Sequence, residues 1–191
     1  MTHVSIIGSG NMGKAIAGLV EKSGNTAEVF GSTDSGKPVT GDIVVLAVPY
    51  PAVADVLAQR AGQFEGKIVV DITNPLNFET FDELTVPADS SATAEIAAAL
   101  PGARVVKAFN TTFAATLADG TVGGTPATVL VAGDDAGAKT AVAELATGAG
   151  LRAIDAGALK RARELEAIGF LQITLAAADK VAWTGGFAVI S

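Results

Sequence analysis

Residues 5–17 read SIIGSGNMGKAIA and give the strongest indication of the fold. A short apolar run leads into three glycines spaced as GxGxxG, and a helical run follows at once. This order is typical of the turn between the first strand and the first helix of a dinucleotide-binding fold. There Gly8 allows the tight turn, Gly10 lets a pyrophosphate approach the backbone, and Gly13 lets helix and strand pack closely. The free N–H groups and the dipole of the helix end favour the phosphates.

The sequence therefore predicts a phosphate-binding turn, which comprises Gly8, Ser9, Gly10, Asn11, Met12 and Gly13. The alternative is a glycine-rich turn that only joins strand to helix. The position of the pattern between an apolar strand and a helix favours the dinucleotide interpretation.

Beyond this turn, Val- and Ile-rich runs alternate with Ala- and Leu-rich runs along the whole chain. The predicted strands are residues 4–7, 27–30, 43–47, 67–71, 104–108, 127–131 and 151–155. The predicted helices lie near residues 11–22, 52–61, 91–100 and 136–148. Continuous apolar strands suit a parallel sheet covered on both faces. The expected fold is an α/β Rossmann-type doubly wound parallel sheet with a C-terminal helical extension. Residues 1–155 form the dinucleotide-binding domain, and residues 156–191 form a helical segment that completes the crevice.

Composition excludes several classes of function. The chain has 191 residues, a formal net charge of −7, no cysteine and one histidine. The acidic balance argues against nucleic-acid and membrane-surface partners, and the lack of Cys removes thiolate metal sites. We expect no metal site, and we expect no catalytic role for His3 because it precedes the first strand. The N-terminus runs straight into that strand without a basic region, which predicts a cytoplasmic protein.

The segment after the second strand bears on the choice of cofactor. An NAD site usually places Asp or Glu at the end of this strand, where this chain has Gly31 or Ser32. Ser32 and Thr33 can donate hydroxyls to a 2′-phosphate, and Lys37 is a nearby cation. Asp34 is the alternative, because it could serve the ribose of NAD. The pattern favours NADP(H). The link to the third strand is too short for a helix and a further strand, so a trimmed adenine flank is expected.

Three loops follow the third, fourth and fifth strands, and ligands of open α/β sheets bind beyond such carboxyl ends. The loops read AVPY at 47–50, DITNPL at 71–76 and VKAFNTT at 106–112. They offer amides, hydroxyls and Pro-stiffened backbone, but few titratable groups. Asn74-Pro75 alone is a common turn starter.

Together these motifs make the chain similar to a known family. It resembles the NADPH-dependent coenzyme F420 reductases and the related cytosolic domain of six-transmembrane metalloreductases, over nearly the whole chain. The resemblance is carried by GSGNMG at 8–13, DITNPL at 71–76, VKAFNT at 106–111, AGDD at 132–135, DAG at 155–157 and ARELE at 162–166.

The resemblance implies hydride transfer between NADP(H) and a deazaflavin, coenzyme F420, or a flavin that stacks against the nicotinamide. No catalytic side chain is implied, because the hydride passes directly between the cofactors. The 2′-phosphate residues would be Ser32, Thr33 and Lys37, although the family commonly has Arg at the position of Thr33. The crevice residues would be Val48, Pro49, Asn74, Pro75, Ala108, Phe109 and Asn110, with Pro75, Thr111 and Arg163 on the substrate side.

The last helix has two notable features. Lys160, Arg161 and Arg163 form a basic cluster at its start, either a solvated face or a site for the anionic tail of coenzyme F420. From Ala167 the helix is apolar on nearly all faces, which predicts a homodimer to which the tail from Trp183 to Ile190 adds contact.

Two other functions are open to the same sequence. One is reduction of another small acceptor on the same fold, such as a free flavin, a quinone or an imine. The other is a non-catalytic nucleotide-binding sensor or scaffold. The loops around Asn74 and Asn110 argue against the sensor, because a sensor has no need of a crevice on the nicotinamide side.

Overall fold

Strands and helices alternate along the chain, as the sequence predicts. The computed structural model describes residues 1–190, and Ser191, the last residue of the predicted C-terminal segment, lies outside the described residues. The strands are β1 (His3–Ile7), β2 (Thr26–Phe30), β3 (Ile43–Leu46), β4 (Ile68–Asp71), β5 (Arg104–Lys107), β6 (Thr121–Val122), β7 (Thr125–Pro126), β8 (Thr128–Gly133) and β9 (Arg152–Gly157). The helices are α1 (Asn11–Lys22), α2 (Val53–Gln59), α3 (Ala92–Ala99), α4 (Ala114–Asp119), α5 (Ala136–Gly148) and α6 (Ala162–Ala177).

Seven strands form one sheet in the order β2-β1-β3-β4-β5-β8-β9, and β6 and β7 form a separate hairpin. Neighbouring residues of β3 enter opposite apolar layers: Ile43 and Val45 pack on one face of the sheet, with Ile16 of α1. Val44 and Leu46 pack on the other face, with Val53 of α2. Burial on both faces explains why the strands are continuously apolar. The predicted Rossmann-type architecture is confirmed, with one correction.

The correction concerns β8, which runs antiparallel to β5, whereas a wholly parallel sheet was predicted. The helix between these strands, α4, has six residues, so it is about 9 Å long. The link of residues 108–127 is long enough for a parallel crossover, but it forms α4 and the β6–β7 hairpin instead of one helix that returns the chain across the sheet. The chain instead turns at the carboxyl edge and runs back beside β5. The longer α5, with 13 residues, makes the parallel crossover from β8 to β9.

The flank beside β2 is small. One short 3-10 turn, Ser32–Asp34, occupies the link between β2 and β3, and β2 is an edge strand of the sheet. The expected trimming of the adenine flank agrees with this arrangement.

The last helix, α6, buries one face against the rest of the chain. That face includes two polar residues, Glu166 and Gln172, each 1% exposed, while Leu171 on another face is 51% exposed. The apolar pattern alone does not reveal the polar part of the buried face. Within residues 1–190, no helix is both long enough and apolar enough to cross a membrane.

Candidate functional site

The turn between β1 and α1 has backbone positions that require glycine. Gly8 has a φ of +125°, and a Cβ there would overlap the carbonyl oxygen of Ala47. A Cβ on Gly13 would overlap the carbonyl oxygen of Gly8, whereas a Cβ on Gly10 would meet no atom within 4 Å. The space at Gly10 is open to a ligand, and no side chain among residues 1–190 caps α1. The first N–H groups of α1 are therefore free of a side-chain acceptor, as an anion site at a helix end requires.

Beside this turn, the segment after β2 holds an ion pair. Asp34 Oδ2 accepts a hydrogen bond from the Gly31 N–H at 2.8 Å, and Asp34 Oδ1 lies 2.8 Å from Lys37 Nζ. The bond from Lys37 lowers the pKa of Asp34, and the bond from Gly31 lowers it further. The same contact raises the pKa of Lys37. Ser32 and Thr33 are exposed next to the pair.

Arg60 holds this segment in place, and the sequence reasoning missed it. Its guanidinium donates to the carbonyl oxygens of Lys37 at 2.7 Å and Asp34 at 2.8 Å. It also lies over the ring of Phe30, 4.9 Å from the centroid, and the residue is 3% exposed. No local signal marks this role, because Arg60 follows α2 and reaches back across the fold.

A cleft of about 540 Å³ opens at the carboxyl ends of β1, β3, β4 and β5. It brings together these residues of the prediction: Gly10, Asn11, Met12, Val48, Pro49, Asn74 and Asn110. It also includes five residues of the predicted loops to which the prediction gives no individual role: Ala47, Tyr50, Ile72, Thr73 and Thr112. The other lining residues lie outside the predicted loops: Phe78, Phe113, Ala114, Ala115, Gly169, Gln172, Ile173 and Trp183. The phosphate turn and the three predicted loops thus meet in one cleft.

Several predicted residues do not line the cleft. Ala108 and Phe109 are fully buried in the core, so the expectation that they line the crevice needs correction. Pro75 and Thr111 are also buried behind the wall, and Arg163 is exposed on α6 outside the cleft. The buried four support the wall by packing. The other predicted residues lie beyond the cleft, on the phosphate side: Gly8, Ser9, Gly13, Ser32, Thr33 and Lys37.

Two asparagines join the loops after β4 and β5. Asn74 Nδ2 donates to the Asn110 carbonyl oxygen, and Asn110 Nδ2 donates to Asn74 Oδ1, each at 2.9 Å. Asn110 Nδ2 also donates to the Leu165 carbonyl oxygen of α6 at 2.9 Å. A Cβ on Gly169 would overlap Asn74 Oδ1 and lie 2.9 Å from the Asn110 carbonyl oxygen. Glycine at 169 therefore lets α6 approach the asparagine pair.

A buried charged cluster lies directly behind this wall. Lys107 Nζ is 2.9 Å from Asp71 Oδ2 and 3.0 Å from Glu166 Oε1, and it donates to the Thr73 carbonyl oxygen at 2.5 Å. Thr93 Oγ1 donates to Asp71 Oδ2 at 2.8 Å. These residues are at most 4% exposed. The cluster ties together β4, β5, α3 and α6.

Glu166 also fixes the start of α3. Its carboxylate accepts hydrogen bonds from the backbone N–H groups of Ala92 at 3.0 Å and Thr93 at 3.3 Å. A carboxylate at a helix N-terminus satisfies free N–H groups and interacts favourably with the dipole. Glu166 therefore orients the start of α3, and Lys107 has a structural role behind the wall.

Tyr50 is the single titratable residue among the described residues that line the cleft. Its hydroxyl donates to Glu95 Oε2. Burial raises the pKa of Tyr50, and the hydrogen bond and negative charge of Glu95 raise it further. The phenol is therefore neutral near pH 7, and the part of the lining that the structure describes carries no charged side chain.

Aromatic rings form the outer wall. Phe113 and Trp183 pack with their ring centroids 4.9 Å apart and their planes at 54°. Phe78 and Trp183 are each 52% exposed. Phe78 and Phe113 follow β4 and β5, so the expectation that ligands bind beyond the carboxyl ends of strands could have identified them. Trp183 lies in the tail after α6, where only the tertiary structure places it at the cleft.

The fold and the cleft define a class of protein. A Rossmann-type sheet, a glycine turn open to phosphate and an adjoining uncharged cleft are the features of a dinucleotide-binding oxidoreductase.

Comparison with known proteins names the family. The family model described as "NADP oxidoreductase coenzyme F420-dependent" matches residues 38–75, which span β3, α2 and β4. The F420-dependent NADP reductase of Methanocaldococcus jannaschii is 33% identical over 171 residues, which cover 87% of this chain and 76% of that protein. The chain belongs to the F420-dependent NADP reductase family, and the resemblance inferred from its motifs is confirmed.

Two further proteins extend the comparison. Metalloreductase STEAP3 of Rattus norvegicus is 33% identical over 180 residues, 86% of this chain but 36% of that longer protein. The crystal structure of a protein from Arthrobacter sp. FB24, proposed to be an F420-dependent NADP reductase, superimposes with a TM-score of 0.86 at 25% identity. That match covers the whole of both chains. The whole described fold is therefore shared with a solved structure.

Proposed function

We propose that this protein transfers a hydride between NADP(H) and coenzyme F420, the pair of cofactors in the names of its relatives. The observation that carries the proposal is the single cleft that joins the phosphate turn at Gly10 and Asn11 to the wall of Asn74 and Asn110. Two planar rings bound side by side in such a cleft can transfer a hydride directly, since proximity and orientation supply much of the catalysis.

The residues on the phosphate side fit NADP(H). The open space at Gly10 and the uncapped start of α1 suit the pyrophosphate. Ser32, Thr33 and Lys37 supply hydroxyls and a cation for the 2′-phosphate. Lys37 is paired with Asp34, so a bound phosphate competes with this carboxylate for the ammonium group.

The chain's own residues position the rings and exclude water. When bound, the nicotinamide and the deazaflavin supply the redox chemistry: NADPH, F420 and one proton give NADP⁺ and reduced F420. Two reciprocal hydrogen bonds join Asn74 and Asn110 and hold this wall of the cleft together. The neutral phenol of Tyr50 adds no charge beside the reacting rings.

The direct test is anaerobic mixing of the protein with NADPH and coenzyme F420, followed by the visible absorbance of the deazaflavin. We expect rapid loss of absorbance with NADPH. NADH in place of NADPH and FMN in place of F420 serve as parallel controls. Loss with FMN alone would favour a free flavin as acceptor. No hydride transfer to any acceptor, with NADPH still bound, would favour the nucleotide sensor.

The phosphate side has its own test. Replacement of Lys37 by Ala removes the cation assigned to the 2′-phosphate, so the Kd for NADPH is expected to rise about tenfold while the Kd for NADH changes little. Lys22→Ala, an exposed lysine at the end of α1, is the matched control and leaves both constants unchanged. Equal losses for NADPH and NADH in Lys37→Ala would contradict the assignment.

We propose further that the protein acts as a homodimer in the cytoplasm, where NADP(H) is available. Support for the dimer comes from Leu171 on α6 and Ile190 in the tail, which are 51% and 73% exposed. Large exposed apolar side chains are typical of contact surfaces. Size-exclusion chromatography with light scattering tests this point, and a monomer at micromolar concentration would contradict it.

A further inference from the structure

We propose that Trp183, in the tail after α6, stacks on the ring of the hydride acceptor and makes the cleft select acceptors by their planar ring. The inference rests on the proposed function, which supplies the hydride, but it concerns a residue outside the Rossmann sheet. It names a binding residue that the glycine turn and the strand loops do not supply.

The indole of Trp183 is placed where a bound ring can contact it. Trp183 lines the cleft, packs against Phe113 with the ring centroids 4.9 Å apart, and is still 52% exposed. Large apolar side chains at functional surfaces are left open where a ligand covers them. A ring that enters the cleft beyond the nicotinamide therefore meets the open part of the indole.

Hydrogen bonds hold the tail that carries Trp183. Thr116 Oγ1 donates to the Gly185 carbonyl oxygen at 2.7 Å, and the Phe187 N–H donates to Gln172 Oε1 at 3.4 Å. Gln172 is 1% exposed and itself lines the cleft. Contacts on both α4 and α6 fix the tail on the C-terminal side of Trp183. The indole is thus positioned before the acceptor binds, which lowers the entropic cost of stacking.

The described lining of the cleft is uncharged. Among the described lining residues none is Asp, Glu, Lys or Arg. The basic residues Arg161, in the 3-10 turn before α6, and Arg163, in the first turn of α6, lie outside the cleft. A charged tail of an acceptor finds no partner inside the cleft, so only the ring is recognised there. Aromatic stacking tolerates different rings because every planar ring presents a π face.

Trp183 is the only tryptophan of the chain, so its emission reports on a ring that binds near it, and the variants below test the contact itself. The intact protein, saturated with NADP⁺, is titrated with oxidised F420 and separately with FMN. We expect emission to fall in a saturable way, with a midpoint close to the KM of the same acceptor. Emission that stays constant through the concentrations that saturate turnover would overturn the proposal.

Three variants then test the role of the ring. In Trp183→Ala the KM for the acceptor is expected to rise about tenfold, while the Kd for NADPH stays unchanged. Trp183→Phe retains a ring and restores most of the acceptor affinity. Phe187→Ala removes a tail ring of similar exposure that does not line the cleft, and its KM is expected to equal that of the wild type. Thermal unfolding of each variant verifies that it is folded.

The outcomes separate this inference from the proposed function. Turnover by the wild type with an unchanged acceptor KM in Trp183→Ala overturns the stacking role alone. A wild type that reduces no acceptor overturns the proposed function, and the emission titration with FMN and F420 then still decides whether planar rings bind at Trp183.

Discussion

The wall of Asn74 and Asn110 separates two regions of the molecule that differ sharply in charge. Behind the wall, Lys107 is enclosed by Asp71 and Glu166 in a region that water does not reach. In front of it, the cleft is lined by amides, hydroxyls, apolar side chains and one neutral phenol. The two environments are adjacent, since Lys107 Nζ bonds the carbonyl oxygen of Thr73, whose residue lines the cleft.

The charged groups behind the wall and the uncharged groups in front of it therefore have separate roles. Ion pairs buried behind the wall hold α6 in place, because an unpaired buried charge is costly. None of the described residues that line the cleft carries a charge that would favour one charged state of a bound ring over another. The charged cluster therefore builds the wall, while the neutral cleft performs recognition, and variants on each side are expected to show different effects.

The largest effect is expected from Lys107→Met, which leaves two carboxylates without their buried cation. Removal of one partner of a buried ion pair typically costs about 3–5 kcal/mol. We expect a loss of that size in the free energy of unfolding, measured by urea denaturation monitored by circular dichroism. Because α6 forms part of the cleft, the variant also loses acceptor binding.

The matched control is Lys139→Met, which breaks a lysine–aspartate pair near the surface. Lys139 Nζ lies 2.8 Å from Asp155 Oδ2, and the Asp155 side chain is 61% exposed. The bond from Lys139 lowers the pKa of Asp155, but solvent screens the pair, so a loss of at most about 1 kcal/mol is expected. Similar losses for the two variants would show that the cluster behind the wall does not anchor α6.

A second, smaller effect is expected where α6 meets the asparagine pair. In Gly169→Ala the new methyl group overlaps Asn74 Oδ1, so α6 must shift and the Asn74–Asn110 bonds weaken. Overpacking of this kind typically costs about 1–3 kcal/mol. The affinity for NADPH and for the acceptor falls together with stability, because the shifted wall belongs to the cleft. Calorimetric binding and thermal unfolding measure the two effects.

Gly18→Ala in α1 is the control for the change of residue type. A Cβ at position 18 meets no atom within 4 Å, and the site lies inside a helix on the exposed side. Alanine there is expected to raise the free energy of unfolding by about 0.5–1 kcal/mol. Destabilisation by both substitutions would mean that close packing at Gly169 is not the cause.

The comparison also shows how far the sequence could predict this site. The glycine turn and the strand ends could be located because their signals are local: GxGxxG lies between an apolar run and a helix, and Asn74 and Asn110 directly follow strands. Glu166 contacts Thr93, which is 73 residues away in the chain, and Arg60 reaches back to the segment after β2. Such contacts depend on how distant elements pack, and no local pattern encodes them.

The direction of β8 is another feature that the local sequence pattern does not predict. Its apolar residues predict a strand buried on both faces, and burial is the same for parallel and antiparallel neighbours. The link before β8 forms the short α4 and the β6–β7 hairpin rather than one long crossover helix, and the sequence analysis predicts none of these three elements. Pro75, Ala108, Phe109 and Thr111 follow strands as expected of site residues, yet they face the interior. The position of a residue at a strand end thus predicts that it lies near a cleft, but it does not predict whether the side chain faces the cleft or the interior.

The smallest effect is expected in front of the wall, at Tyr50. Tyr50→Phe removes a hydrogen bond to an exposed carboxylate, which costs at most about 1 kcal/mol near pH 7, and kcat is expected to remain unchanged. The pH dependence is more informative. Since the pKa of Tyr50 is raised in the folded protein, above about pH 10 the unfolded chain releases this proton while the folded chain retains it. Wild-type stability therefore falls with rising pH through this window, whereas Tyr50→Phe lacks that contribution.

Tyr50 is the only tyrosine of the chain, so the tyrosinate absorbance of the wild type reports its ionisation alone. We expect ionisation of the folded protein well above pH 10 and of the urea-unfolded protein near pH 10. The stability difference between wild type and Tyr50→Phe should narrow over the same range, which separates the phenol from the lysines that also titrate there. Ionisation near pH 10 in the folded state would mean that the phenol is solvated. The cleft would then lack the water-excluding character that distinguishes hydride transfer between two rings from simple nucleotide binding.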